Sequence, residues 1–299
     1  MLCLTTRWVP WADSQLDERL RMVLDTHIEG IILSVEDPLD HWPQIVREII
    51  GAQHSIPAAT APVPEKPFLP GRPPRLPQLD GLDESESRAA LDSVLQSLSC
   101  ARDLGIPALI LTPPRLPGGS ALQDLNRRHQ DWIQKRQECE KSITQEDLES
   151  TAAAETRIAQ LRGEYQRFLK QWEKSVPPLE KRRDSLLRNL DKILDEADRT
   201  QIQILLRESR QPHTPLQRGD WDELMQRFAG APMKPLLDPA AEAWNRELRG
   251  CEFDPPAPFP DQGSAGMILA NVTATGEETL PESGIFNPDL LFCNEGSPL

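Results

Sequence analysis

Residues 87–114 read SRAALDSVLQSLSCARDLGIPALILTPP and contain, in this order, the marks of a helix, of a helix end and of a strand. The helical part carries apolar residues at spacings of three and four, the pattern of an α-helix with one buried face: Ala90, Leu91, Val94, Leu95, Leu98 and Ala101. Gly105 follows, and glycine commonly ends a helix in the left-handed conformation. The run PALILTPP is short and aliphatic without a helical period, which is typical of a buried strand. The stretch therefore predicts a helix followed by a buried strand.

The same alternation continues along the 299 residues of the chain. Further short runs with the composition of strands are residues 2–8, 30–35, 55–62, 202–206, 233–239 and 266–274. Helical patterns stand between most of them, and no hairpin signal of the Asn-Gly type occurs. This order predicts a parallel sheet. At this length we expect a closed (β/α)8-type TIM barrel, with a doubly wound open sheet as the alternative.

Residues 121–178 interrupt the alternation after the fourth strand. From residue 146 onward the apolar residues follow a heptad spacing, with charged residues between them: Ala154, Ile158, Leu161, Tyr165, Phe168 and Trp172. A shorter amphipathic pattern precedes this stripe. We predict two helices that separate near residues 142–145 and form an inserted, coiled-coil-like hairpin. The hairpin either packs on itself or on the barrel without a further role, or it is an arm for a homodimer or a protein partner.

The interruption divides the chain into three parts. Residues 1–120 are the first part of the barrel with strands 1 to 4, residues 121–178 are the hairpin, and residues 179–299 are the second part with strands 5 to 7. The run LLFCNEG (290–296) is the candidate for a shortened eighth strand, which would carry Glu295. We therefore expect the barrel to be incomplete or irregular at its C-terminal end.

Composition excludes several classes of protein. The formal net charge of −14 argues against general nucleic-acid binding, because phosphate contacts need clustered Lys and Arg. The five cysteines are scattered and form no C-x-x-C pair, as in a reduced protein and unlike a disulfide framework. The chain shows neither a signal peptide at its start nor an apolar run of membrane-spanning length. We expect a cytoplasmic protein with no membrane contact.

Five phrases, in order, resemble the xylose isomerase-like barrel superfamily of sugar and sugar-phosphate isomerases, epimerases and endonuclease IV. They are LDERLRMVLDTHIEGIIL (16–33), LDSVLQSLSCARDLGIPALILTP (91–113), LDKILDEADRTQIQILLRES (190–209), MKPLLDPAAEAW (233–244) and ILANVTATGEETLPESGIFNPDLL (268–291). The resemblance covers most of residues 2–292 outside the predicted hairpin. It implies a TIM barrel with a divalent metal at the carboxyl-terminal mouth. The metal in such a site polarises a carbonyl and a hydroxyl while acid–base groups move a proton.

The resemblance assigns the site to two carboxylates. Glu208 matches the carboxylate that ends the fifth strand, and Asp238 matches the one that ends the sixth. Both are expected to bind the metal and to take part in catalysis, with Mn, Mg, Co or Zn as candidate ions. The alternative is that Arg207 or Arg210 pairs with these carboxylates in a salt bridge. His213, directly after the fifth strand, and His54 are expected to lie on loops that reach the mouth and to supply a ligand or an acid–base group.

At other positions the chain departs from the family pattern. The histidine of the family's D-x-G-H phrase is Ala241 here, and the glutamate of the second strand falls on Ile32. The seventh strand offers only Asn271, a weak neutral ligand, and the fourth strand ends in Thr112-Pro113 where some members carry a histidine. With two carboxylates alone, the affinity for a hard cation should fall.

Three functions remain open at this point. The first is a metal-dependent isomerase or epimerase that acts on a small sugar-like substrate. The second is a catalytically degenerate barrel, a pseudoenzyme that acts as a scaffold or ligand binder through its helical hairpin. The third and weakest is DNA repair as in endonuclease IV, since that chemistry needs a histidine-rich metal cluster and a basic face.

Overall fold

The structure is a computed structural model, and it describes residues 2–6, 20–21, 23–25, 29–34, 37–62, 78–111, 120–143, 148–207, 209, 213–216, 220–237, 267–271 and 289–293. The strands are β1 (Leu2–Thr5), β2 (Gly30–Ile32), β3 (Ala59–Ala61), β4 (Ala108–Leu111), β5 (Gln203–Arg207), β6 (Met233–Leu237), β7 (Met267–Asn271) and β8 (Asp289–Cys293). Each of the seven strand-like runs in the sequence thus contains a strand, and the predicted eighth strand is present. The helical pattern at residues 240–250, between the sixth and seventh strand-like runs, lies outside the described residues.

The strands form one sheet in the order β2-β1-β8-β7-β6-β5-β4-β3. Paired strands among β1 to β7 run parallel, as predicted. Strand β8 is the exception, because it lies between β1 and β7 and is antiparallel to both. The expectation of a parallel strand at this place is therefore wrong. A parallel partner needs a crossover back along the sheet, whereas an antiparallel strand can start from the edge at which the preceding strand ends.

The two end strands of this order are themselves joined by isolated parallel bridges. Gly30 is bridged to Ser55, and Leu33 is bridged to Ala59. The backbone N–H of Thr60 also donates to the carbonyl of Leu33 at 2.9 Å. Hydrogen bonding therefore continues from β2 to β3.

The helices are α1 (Trp42–Gly51), α2 (Glu84–Leu104), α3 (Ser120–Ile143), α4 (Leu148–Trp172), α5 (Leu179–Thr200) and α6 (Trp221–Arg227). Helix α2 begins where the Asp83 side chain accepts a hydrogen bond from the backbone N–H of Glu86. It ends at Gly105, whose φ of 71° is left-handed, as the sequence predicts. No helix among the described residues is long and apolar enough to cross a membrane.

Alternate residues of the strands face two different surroundings. One set of alternate strand residues packs against the apolar faces of α1, α2, α5 and α6 in the main core; it includes Ile31, Leu109, Ile204 and Leu206. The other set forms a second cluster whose members come from the strands or from the residue directly before β3: Cys3, Ile32, Ala58, Ala108, Ile110, Leu205 and Leu236. We call this second side the inner face. In parallel sheets both faces are covered in this way.

Helices α3 and α4 pack against each other through the predicted apolar stripe. Trp172 contacts Leu125 near one end of the pair, and Tyr165 and Leu161 contact Trp132 further along. The two helices run antiparallel, because a residue early in α3 contacts the end of α4 and a later residue of α3 contacts an earlier residue of α4. The stripe of α4 is thus covered by α3, while the charged residues between its positions are largely exposed.

A histidine is buried in this contact. His129 is 1% exposed, and its Nδ1 lies 3.3 Å from the Tyr165 hydroxyl. Its ring lies 5.9 Å from the rings of Trp132 and Tyr165, and the Arg136 guanidinium stacks on Trp132. Burial, together with the positive charge of Arg136, lowers the pKa of His129 to about 4.

We therefore expect the stability of the protein to depend on His129 at acidic pH. An unfolded chain binds a proton at this residue near pH 6.5, whereas the folded chain binds it only near pH 4, so stability falls as the pH falls through this interval. The loss should approach about 3 kcal/mol between pH 7 and pH 4, from 1.36 kcal/mol per pKa unit. Urea unfolding at several pH values, compared between the parent protein and His129→Gln, measures it.

The matched control is His41→Gln, because the His41 side chain is 46% exposed. It should leave the pH profile of unfolding unchanged. Parallel profiles for the parent protein and His129→Gln would contradict the expectation.

Candidate functional site

The strands β1 to β7 end at one edge of the sheet, which we call the carboxyl edge. In parallel α/β sheets this is the edge at which ligands bind. Strand β8 begins there, because its first residue Asp289 is in register with Asn271, the last residue of β7. The role of Glu295, which the shortened eighth strand was expected to carry, stays a prediction. This residue follows Cys293, which pairs with Met267 at the opposite edge, and it lies outside the described residues.

The two carboxylates assigned from the sequence follow neighbouring strands. β5 and β6 are paired in parallel, with Arg207 in register with Leu236. Glu208 comes directly after β5 and Asp238 directly after β6. Both lie outside the described residues, as does Arg210, so their convergence on a metal stays a prediction.

His213 lies in a tight turn after β5. The backbone N–H of Ser209 donates to the carbonyl of Leu216 at 3.0 Å, and the Thr214 hydroxyl donates to the Ser209 hydroxyl at 2.7 Å. His213 has a φ of 56° and its ring meets the edge of Trp172 at 6.3 Å between centroids. The end of α4 therefore contacts the loop that carries the predicted acid–base residue.

His54 lies at the opposite edge of the sheet. It precedes Ser55, which is bridged to the first residue of β2, and its Nε2 lies 3.2 Å from the carbonyl of Leu24. The prediction that His54 reaches the mouth is therefore wrong. The loop between α1 and β3 returns the chain to the amino ends of parallel strands, and the sequence alone does not show on which side of the sheet a loop emerges.

A buried ion pair contacts the loop that carries His213. Arg182 on α5 pairs with Asp80, and these side chains are 3% and 0% exposed. The same guanidinium donates to the carbonyl of His213 at 3.3 Å. Burial raises the pKa of Asp80, and the charge and hydrogen bond of Arg182 partly oppose that effect.

Two further polar residues of α5 bind the same segment. The Ser185 hydroxyl donates to the carbonyl of Gly81 at 2.9 Å, and the Asn189 amide donates to the carbonyl of Leu79 at 2.6 Å. Together with Arg182 they stand at spacings of three and four on one face of α5, otherwise an apolar face. This spacing of polar residues on an apolar helix face is the signal by which the sequence could have indicated these contacts. Polar residues within a helix's buried stripe indicate partners for groups that would otherwise lose their hydrogen bonds.

Asp37 is a second buried carboxylate near the carboxyl edge that the sequence reading missed. It is 0% exposed, and it accepts from the Ser34 backbone N–H at 2.9 Å and from the Thr6 hydroxyl. Its own carbonyl accepts from the Trp42 indole at 3.0 Å. These contacts join the ends of β1 and β2 to the start of α1. The family pattern directed attention to Ile32, five residues earlier, which belongs to the apolar inner face.

Two basic residues lie on the inner face. Because Leu205 and Leu236 face inward, the residues two positions away on the same strands, Arg207 and Lys234, share that face. Both side chains are partly exposed. The sequence reading treated Arg207 only as a partner for Glu208 and did not consider Lys234.

The described residues alone do not provide a metal site. Among them, no group of three His, Cys, Asp or Glu side chains is arranged to hold an ion. Of the described carboxylates near this edge, Asp80 is paired with Arg182, and Asp37 accepts hydrogen bonds from Thr6 and Ser34. Neither fits a hard cation, which prefers several uncommitted carboxylate oxygens.

We expect the Asp80–Arg182 pair to be strongly coupled. Arg182→Met should lower the free energy of unfolding by about 3 to 5 kcal/mol, because it leaves a carboxylate buried without its cation. Asp80→Asn should also destabilise the protein, and the double variant should lose less than the sum of the two. Urea unfolding of the four proteins gives the coupling energy.

The matched control is Arg102→Met, since Arg102 and Asp103 form an exposed pair with side chains 53% and 63% exposed. Its effect should stay within about 0.5 kcal/mol. Strictly additive losses for Arg182→Met and Asp80→Asn would show that the two residues do not act as a pair.

No protein-family model matches the sequence, and no curated protein matches it. Solved structures that match the chain include a xylose isomerase domain containing protein from Salmonella typhimurium LT2, with 16% identity and a TM-score of 0.49 over 94% of this chain and 75% of that one. A 3-keto-D-glucoside 4-epimerase from E. coli has 10% identity and a TM-score of 0.48, over 81% of this chain and 74% of that one. An AP endonuclease of family 2 from Brucella melitensis has 12% identity and a TM-score of 0.45, over 80% of this chain and 68% of that one. The chain is similar to these proteins at low sequence identity.

Proposed function

We propose that the chain is a divergent xylose isomerase-like protein that binds a sugar or sugar phosphate at the carboxyl edge and isomerises or epimerises it. In this proposal the eight strands form a closed (β/α)8-type barrel with a reversed eighth strand, and the α3–α4 hairpin is an insertion after β4. Support comes from the order of the five sequence phrases. The bridges that connect β2 to β3 agree with closure.

One observation carries the site, namely the parallel pairing of β5 with β6. Carboxylates that directly follow two neighbouring parallel strands leave the sheet at the same edge, and neighbouring strands lie only about 4.8 Å apart. Glu208 and Asp238 are the carboxylates in question. Asp289, at the start of β8, adds a third acidic residue at this edge by its register with Asn271.

A divalent ion bound by these carboxylates would polarise the carbonyl and hydroxyl oxygens of the substrate. The chain itself has to orient the sugar and move a proton between neighbouring carbons. His213 is the candidate for the proton transfer, and its position is set by Trp172 and by the bond from Arg182 to its carbonyl. A general base must come within about 3 Å of the proton that it removes.

The second candidate function is a ligand-binding barrel without catalysis. The observations that favour it are the departures from the family pattern, with Ala241 where the family has a histidine and Ile32 where it has a glutamate. In that case the hairpin would be the element that contacts a partner or a second copy. Because its apolar stripe is covered, such a partner would meet the charged outer faces of α3 and α4.

The first proposal predicts metal binding that depends on both carboxylates. Calorimetric titration of metal-stripped protein with Mn²⁺ and Zn²⁺ should give a dissociation constant in the micromolar range or below. Glu208→Ala and Asp238→Ala should each weaken binding by a hundredfold or more, because loss of one of few charged ligands removes much of the attraction for a hard cation.

Asp198→Ala is the matched control, since Asp198 is exposed near the end of α5, where the chain returns to the start of β5 at the opposite edge. It should bind metal like the parent protein. Metal-loaded protein should then exchange the C2 or C3 hydrogen of aldoses or ketoses with solvent deuterium in ¹H NMR spectra. No binding by the parent protein would rule out the metal-dependent isomerase and leave the ligand-binding barrel.

A further inference from the structure

We propose that Trp172, the last residue of α4, is a positioning residue for the ring of His213, and that the α3–α4 pair thereby forms part of the site at the carboxyl edge. This role rests on the proposed function, in which His213 moves the proton. It differs from both alternatives that the sequence left open for the two helices, namely packing without a further role and an arm for a partner.

The contact joins two rings that lie nearly at right angles. The ring centroids of Trp172 and His213 are 6.3 Å apart, and the ring planes meet at 75°. Aromatic pairs prefer such an edge-to-face arrangement, by roughly two- to tenfold over other orientations. An imidazole that turned about its side-chain bonds would lose the arrangement, so the contact favours one orientation of the His213 ring.

Trp172 is itself held by both helices of the pair. It is 4% exposed and packs against Leu125 of α3, with Phe168 and Leu169 of α4 beside it. Directly after the helix ends, the Ser175 hydroxyl donates to the carbonyl of Trp172 at 2.7 Å. The orientation of the indole therefore depends on α3 as well as on α4.

The main chain of the loop that carries His213 has anchors of its own. Thr214 and Leu216 are 0% and 2% exposed, and the Thr214 hydroxyl donates to the hydroxyl of Ser209 at 2.7 Å. The carbonyl of His213 accepts from Arg182 at 3.3 Å, whereas its side chain is only partly buried. With the main chain anchored in this way, the freedom that is left at His213 is that of its ring, which the indole limits.

The backbone conformation of this loop points to a functional constraint on its side chains. His213 has a φ of 56° and Leu216 a φ of 69°, in the left-handed region that residues other than Gly adopt at a cost in free energy. Such residues cluster at functional sites. A loop with two of them directs its side chains along vectors that an ordinary turn does not offer.

His213 is contacted from both sides of one junction between helices. Trp172 ends α4, Arg182 lies near the start of α5, and residues 173–178 join the two helices. The indole contacts the ring of His213, and the guanidinium contacts its carbonyl. The α3–α4 pair therefore acts on the ring, whereas α5 acts on the main chain.

NMR couplings measured on the metal-free protein test the proposal. The three-bond couplings from the backbone nitrogen and carbonyl carbon of His213 to its ring carbon Cγ report the χ1 rotamer. The resonances are assigned with His213→Gln. We expect one rotamer in the parent protein. Couplings averaged over several rotamers in the parent protein would overturn the proposal, and this outcome does not depend on any variant folding.

The variants Trp172→Leu and Trp172→Phe test the aromatic contact. Trp172→Leu should raise the population of the minor His213 rotamers at least threefold, whereas Trp172→Phe, which keeps a ring, should retain the parent rotamer. Trp132→Leu is the matched control, because Trp132 is equally buried at 4% and contacts Tyr165, about 10 Å along α4 from Trp172. It should leave the His213 couplings unchanged and shift the resonances of the neighbouring His129.

Leu125→Ala extends the test to α3, since it removes the side chain against which Trp172 packs. It should also average the His213 couplings. In this variant and in the Trp172 variants, His129 resonances at their parent positions show that the α3–α4 contact is intact. Parent-like couplings in Trp172→Leu or Leu125→Ala, or equal averaging in Trp132→Leu or Trp172→Phe, would overturn the proposal.

A kinetic comparison separates this proposal from the proposed function. In the exchange of sugar C2 or C3 hydrogen with solvent by metal-loaded protein, Trp172→Leu should lower kcat at least threefold and leave KM unchanged, because the ring is misplaced while the sugar still binds. Trp132→Leu should change neither. A parent-like kcat in Trp172→Leu would contradict the positioning role. No exchange by the parent protein would refute the isomerase, and the couplings would still decide whether Trp172 orients His213.

Discussion

The parallel pairing of the strands imposes the constraint on which the rest of this structure depends. A parallel sheet buries both faces, so each residue of β1 to β6 is committed either to the helices or to the inner face. The apolar clusters show the result, with Ile204 and Leu206 against helices and Leu205 inside. A charged side chain on such a strand is tolerated only where water or a counter-charge can reach it. That condition is met toward the carboxyl edge, where Arg207 ends β5.

Buried polar contacts then connect the loops at that edge to the helices. Arg182, Ser185 and Asn189 on α5 bind the segment at residues 79–81, and Arg182 also binds the loop that carries His213. A buried ion pair is weak evidence of net stabilisation, because desolvation offsets much of the attraction. The pair also contacts the loop after β5, since the guanidinium that Asp80 holds donates to the carbonyl of His213. Trp172 adds a contact from the end of α4 to the same loop.

Much of the architecture could be predicted because strands and helices have different periods. Helix α2 ends at Gly105 as expected, and each apolar run contained a strand. The site was predicted less well. Reading for a carboxylate drew attention to Glu208 and passed over Arg207 beside it, although the alternation along β5 places Arg207 on the same face as Leu205. Counting separates the two faces of a strand, but it does not show which face is the inner one.

The sequence by itself determined the order of helices and strands and the heptad stripe of α4, because these depend on local spacing and composition. The alternation of strands and helices also indicated that the paired strands among β1 to β7 run parallel. Only the tertiary structure decided that β8 runs in the opposite direction, that His54 lies at the far edge, and that Asp80 meets Arg182. Each of these depends on contacts between residues distant in the chain, on which local periodicity has no bearing. The same holds for Arg207 and Lys234, which are brought together by the register of two strands and by nothing in either segment alone.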